Sequence, residues 1–154
     1  MRINFYALRA IYFHEMDRFR RTLIQSLLSP VLSTSLYFIV FGSVIGDYVQ
    51  KIDGISYGSY IVPGLLMLTL LTQSISNTSF GIFFPKFNGT IYEILAAPIS
   101  TVEIVIAYVG AGATKTLIVA AVIFCTSLFF AEVNVKFPLL MIFFLILVAF
   151  TFAL

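Results

Sequence analysis

The sequence predicts an all-α membrane protein, and three observations carry that prediction. Of its 154 residues, 60% are hydrophobic and 10% are charged, against about 45–50% apolar and about 25% charged in soluble domains. The apolar residues gather into runs over 22–46, 59–84, 101–131 and 137–154. The first three exceed the roughly 20 residues that a helix needs to cross a hydrocarbon core, and the last is a partial or complete fourth span. Between the second and third runs lies a short segment, residues 89–100 (Gly-Thr-Ile-Tyr-Glu-Ile-Leu-Ala-Ala-Pro-Ile-Ser), bounded by glycine and proline. The whole chain, 1–154, reads as one transmembrane domain.

Composition also excludes several classes. Charge is too sparse for a nucleic-acid footprint. The single cysteine, Cys125, rules out an internal disulfide framework and a cysteine-based zinc site. His14 has no second candidate ligand nearby, so no metal site is expected. Tryptophan is absent, which leaves tyrosine and phenylalanine as interfacial anchors.

Residues 2–21 are too polar for a signal peptide, and no small-residue cleavage site follows them. On a helix, Phe5, Leu8, Tyr12, Met16 and Phe19 fall at steps of three and four, with His14, Asp17, Arg18 and Arg21 opposite. That pattern suits a cytoplasmic helix lying in the membrane interface. A cytosolic helix packed on another surface has the same periodicity. Glu15 and Asp17 sit among arginines and read as their solvated partners.

The first span, 22–46, carries Pro30, which is expected to kink or start it. A polar loop with Asp47, Lys51 and Asp53 leads to the second span. The third span opens at Thr101, and a polar turn over 132–136 leads to the fourth. That last run ends at Leu154 without interfacial or charged anchors, so the chain reads as a fragment cut inside its fourth span. Arg2, Arg9, Arg18, Arg20 and Arg21 precede the first span, whereas the next loop holds only Lys51. The positive-inside rule therefore puts the N-terminus, and with it residues 89–100, in the cytoplasm.

Residues 90–98 have the signals of a helix of about two turns. Thr90 and Glu93 match a capping box, in which each side chain bonds the other residue's N–H. Pro98 stops the helix, because the residue before proline avoids the α region. Ser100 and Glu103 repeat the box at the start of the third span. Such a short helix is not stable alone, and it reads as a docking element; the bland alternative is a loop helix that only caps the bundle.

This order of elements, with Tyr-Ile-Val-Pro-Gly-Leu at 60–65 and the segment at 89–100, resembles the ABC-2 type permeases, the membrane subunits of a class of ATP-binding-cassette exporters. The resemblance covers the whole chain. It implies six spans in the complete protein, a second permease copy in a homo- or heterodimer, and a separate ATP-binding-cassette ATPase subunit. It also makes the short helix the coupling helix that docks on that ATPase. Thr90, Glu93 and Pro98 then set its shape, and Ile91, Tyr92, Ile94 and Leu95 supply its contact. By the same resemblance the N-terminal helix lies near the ATPase. The chain departs from the pattern in lacking the last two spans.

Lys115 lies near mid-bilayer, where a charge costs at least about 2.5–3.5 kcal/mol on insertion scales and must face protein or water. It either lines a pathway or is paired inside the bundle. Gln73 and Asn77, in a polar sector with Thr69, Thr72, Ser76 and Ser79, either bond between helices or line a polar path. Residues 110–116 are no phosphate loop, since Thr114 stands where the motif needs glycine before the lysine. Hence ATP belongs to a partner, and this chain holds no cofactor of its own. No nucleophile, base and acid converge, so no catalytic residue is assigned. The expected function is the membrane-spanning subunit of an exporter in a bacterial cytoplasmic membrane. A membrane scaffold without transport activity is the alternative. A secondary transporter is disfavoured by the lack of further mid-span charges.

Overall fold

The computed structural model describes residues 4–45, 51–52, 55–130 and 137–154. Asp47, Asp53 and the turn over 132–136 lie outside the described residues. Six α-helices are described: α1 (Phe5–Arg21), α2 (Leu23–Tyr37), α3 (Tyr57–Phe87), α4 (Ile91–Ala96), α5 (Thr101–Phe130) and α6 (Pro138–Ala153). Leu23–Phe41, Tyr57–Phe87 and Thr101–Phe130 are long and apolar enough to cross a membrane. The all-α membrane class therefore holds.

Two local departures come from the first loop. The chain leaves α2 in a π-helical stretch, Phe38–Ile45. Then Lys51–Ile52 pairs antiparallel with Ile55–Ser56, in the register Lys51↔Ser56 and Ile52↔Ile55. The sequence here, Ile-Asp-Gly-Ile, places Asp-Gly between two apolar residues, which is a hairpin signal.

α5 is the hub of the bundle and packs against α1, α2, α3 and α6. Its small residues explain why. Ala107, Ala111, Gly112, Ala113, Thr116 and Ala120 are all buried, and side chains this small let neighbouring backbones approach. The matching stripe on α3 is Val62, Leu66, Leu70, Ser74, Thr78 and Gly81, at the steps of four and three that keep one helix face. Closest approach is at Gly112, where a Cβ would overlap the Thr78 hydroxyl, and at Gly81, where a Cβ would stand 3.3 Å from Tyr108 Cδ1. α6 is joined by a hydrogen bond from Ser74 Oγ to the Ala149 carbonyl, 2.7 Å, and by the fully buried Ala149 and Ala153.

α1 runs parallel to α5, as the register of their contacts shows. The Asn4 N–H donates to Glu103 Oε1 at 2.6 Å. Further along, the Tyr12 hydroxyl donates to Thr114 Oγ1 at 3.1 Å, and Phe19 packs with Val119 and Ile123. Leu8, Tyr12, Met16 and Phe19 of the predicted stripe are buried or half-buried, while Phe5 is exposed along with Tyr6 and Phe13. At the far end of the bundle Phe38 stacks on Phe130, with ring centroids 5.8 Å apart. Asn4 caps α1 by accepting from the Ala7 N–H, and Arg18, Arg20 and Arg21 fill its last turn, where cations suit the helix dipole.

Candidate functional site

The site is built at the end of the bundle where α3 gives way to α4. Gly89 makes the turn with φ +79°, a conformation that glycine adopts without a Cβ penalty. The chain then enters α4 with Thr90 already helical, at φ −63° and ψ −19°. This corrects the expected capping box: Thr90 makes no side-chain cap bond. An N-cap residue needs extended backbone for its hydroxyl to reach back, and the glycine turn delivers helical backbone instead. The Glu93 N–H donates to the Thr90 carbonyl at 3.2 Å. The helix spans Ile91–Ala96, shorter than 90–98, because Ala97 is already extended before Pro98, at φ −73° and ψ 149°.

α4 touches the bundle through α3. Ile91 and Ile94 are half-buried, whereas Tyr92 and Leu95 are 74% and 59% exposed, with Glu93 and Pro98 also exposed. Two large apolar side chains thus stand outward on a two-turn helix. The second box does form its acidic half: Glu103 Oε2 accepts from the Ser100 N–H at 2.9 Å. The same carboxylate holds Asn4, so one residue ties the starts of α1 and α5 together.

Beneath α4 lies an ion triad. Lys115 Nζ donates to Glu15 Oε2 at 2.6 Å, and the Arg18 guanidinium lies 3.1 Å from Glu15 Oε1. Glu15 is only 2% exposed and Lys115 4%. This corrects the reading of Glu15 as solvated. Its position three residues after Tyr12 and four before Phe19 puts it on the face that packs against α5, and there it meets the lysine of that helix. Asp17, by contrast, is exposed. Asn77 donates from Nδ2 to Thr116 Oγ1 at 3.3 Å, joining α3 to α5. Gln73 is half-buried on α3.

Between the triad and α4 is a cavity of about 500 Å³. Its polar wall includes His14, Glu15, Arg18 and Asn88, and its apolar wall includes Phe84 and Tyr108. The Arg18 guanidinium lies over the Phe84 ring, 5.6 Å from its centroid. Sequence reasoning singled out α4 and Lys115 and read Glu15 as a partner of nearby arginines, as its pair with Arg18 shows, but missed the burial of Glu15 and its pairing with Lys115. One signal could have found Glu15: a carboxylate inside an apolar stripe and a mid-span lysine each need a counter-ion. Among the described residues, no group of three or more histidine, cysteine or carboxylate side chains could hold a metal.

The chain is 38% identical over 135 residues to proteins named inner membrane transport permease YadH, from Escherichia coli strains K12 and O157:H7 and from Shigella flexneri. The alignment covers 88% of this chain and 53% of the relatives, so the chain spans about half the length of the curated relatives it matches. No solved structure matches it significantly. The ABC-2 type transporter family matches residues 6–154, from the second residue of α1 to the last residue of the chain, and the chain belongs to that family.

Proposed function

We propose that this chain forms the membrane-spanning portion of a permease subunit in an ATP-driven exporter of a bacterial inner membrane. It works beside a second permease copy and hands ATP hydrolysis to a separate ATP-binding-cassette subunit. The observation that carries the reading is α4. A helix of six residues is too short to hold its shape alone, yet it presents Tyr92 and Leu95 outward. That is the geometry of a small apolar knob awaiting a groove. It is joined to α3 by the Gly89 turn and to α5 by the Pro98 stop. A push on α4 is therefore delivered to the two most closely packed helices of the bundle. Ile91, Tyr92, Ile94 and Leu95 form the contact, with Thr90, Glu93 and Pro98 framing it. The inner-membrane assignment is supported by the printed name of the YadH relatives.

A mild-detergent pull-down from the native membrane tests the docking. The wild-type protein is expected to retain a P-loop ATPase, and Leu95→Asp is expected to lose it while still inserting normally. An ATPase retained by a well-inserted Leu95→Asp variant would place docking elsewhere. If no ATPase accompanies an intact wild-type complex, the chain is a scaffold and not a transport subunit.

A further inference from the structure

One buried carboxylate joins the starts of two helices. Glu103, 6% exposed, accepts the Ser100 N–H on Oε2 at 2.9 Å and the Asn4 N–H on Oε1 at 2.6 Å. Ser100 and Asn4 hold the same place in their helices. The Ser100 carbonyl accepts from the Ile104 N–H at 3.1 Å, and the Asn4 carbonyl accepts from the Ala7 and Leu8 N–H groups at 3.1 and 3.2 Å. Each is thus the residue that opens its helix. Because α1 and α5 run in the same direction, their positive dipole ends, about half a charge each, lie side by side. Two such ends repel unless an anion stands between them, and Glu103 is that anion. Both bonds go to backbone N–H groups, so they hold the course of the main chain, whatever side chains stand at the two positions.

The place of this carboxylate in the chain gives the clamp its direction. Ser100 follows Pro98 at the end of the link from α4, whereas Asn4 is 99 positions away from Glu103. Among the described residues, the hydrogen bond that ties the first turn of α1 to the α4–α5 junction is the one from Asn4. We propose that Glu103 is a positioning residue that makes the start of α1 follow a displacement of α4. The proposal rests on the reading of α4 as the ATPase-docking helix. It adds a route by which a push on α4 spreads: across to α1, as well as along α3 and α5. Glutamine at this position cannot serve the same end. It has one acceptor oxygen, and its amide N–H groups would face one of the two backbone donors. It also leaves both helix ends without their anion.

The permease is purified with its ATPase in a Cys125→Ser background. Pairs of spin labels are read by pulsed dipolar spectroscopy, without nucleotide and with ATP and vanadate. One pair, at Ala96 and Leu139, follows α4 against α6. The other, at Tyr6 and Leu139, follows the start of α1 against the same reference; all three positions are exposed. With the native Glu103 and Asn4, both distances are expected to change with nucleotide. In Glu103→Gln the first change stays and the second is lost. Asn4→Pro removes the N–H that donates to Glu103, at a φ of −85° close to the range that the proline ring allows. It is expected to lose the second change as well, so the outcome does not hang on one variant folding. Asn4→Ala removes the side-chain cap but keeps the N–H, and is expected to keep both changes. A Tyr6 movement that persists in Glu103→Gln and Asn4→Pro overturns the clamp, as does an equal loss in Asn4→Ala. If α4 moves in the parent protein and Tyr6 does not, the clamp alone fails. If α4 does not move either, the docking reading fails and the clamp fails with it.

Discussion

Glu15 serves two cations with one carboxylate, and the two are not equivalent. Lys115 is buried and bonds Oε2, whereas Arg18 is partly exposed and bonds Oε1. Removing one partner of a buried pair leaves an uncompensated charge and costs about 3–5 kcal/mol. Glu15→Gln strands both cations. Lys115→Met strands nothing completely, because Glu15 keeps Arg18. We therefore expect Glu15→Gln to lower the thermal midpoint more than Lys115→Met, and the double variant to be less destabilised than the sum of the singles. Thermal unfolding of the three purified proteins checks this. Equal midpoints for the two single variants would mean that Arg18 contributes nothing to holding the carboxylate.

The helix contacts depend on small residues at fixed steps. Gly112 accepts the Thr78 side chain where α3 crosses α5, and a Cβ there would overlap the Thr78 hydroxyl. Gly112→Ala is accordingly expected to destabilise by about 1–3 kcal/mol, the usual cost of overpacking. Thr78→Ala in the same protein should restore most of the loss, and a thermal-shift series on the single and double variants decides it. The long helices were legible because apolar runs of spanning length leave few alternatives. α4 was legible because Gly89 and Pro98 bracket it. Its capping box was not, since Thr90 and Glu93 match the pattern in sequence but the left-handed turn at Gly89 brings Thr90 in with helical backbone. The pairing of Ile52 with Ile55 has only the Asp-Gly dipeptide as its sequence signal, and the charges of Asp47, Lys51 and Asp53 give the loop a polar pattern that masks it.

Across the whole bundle, α5 lies at the centre and α1 runs along it in the same direction, from Glu103 to Ile123. The contacts Asn4–Glu103, Tyr12–Thr114 and Glu15–Lys115 advance together along both helices. Cysteines at Tyr12 and Thr114, in a Cys125→Ser background, are expected to cross-link in intact membranes with a short bifunctional reagent. Cysteines at Tyr6 and Thr114 should not, because Tyr6 faces outward. Cross-linking of both pairs to the same extent would mean that α1 does not keep this register. This arrangement was out of reach of sequence reasoning, because periodicity reports which face of a helix is buried and not which helix buries it. The triad and the cavity were hidden for the same reason, as they join residues on helices about a hundred positions apart.

That separation has a consequence for how the protein is made. Glu15 and Lys115 are 100 residues apart, and chains fold in the order of their synthesis. Glu15 leaves the ribosome long before Lys115 exists. When α5 reaches the translocon, its lysine faces hydrocarbon at a cost of at least about 2.5 kcal/mol, and the carboxylate that neutralises it is already waiting on α1. Membrane insertion of α5 is therefore expected to fall when Glu15 is replaced by Gln, which a glycosylation-mapping assay of the nascent chain checks. A nascent chain lacking α1 would reach the membrane with its central helix carrying an unpaired charge.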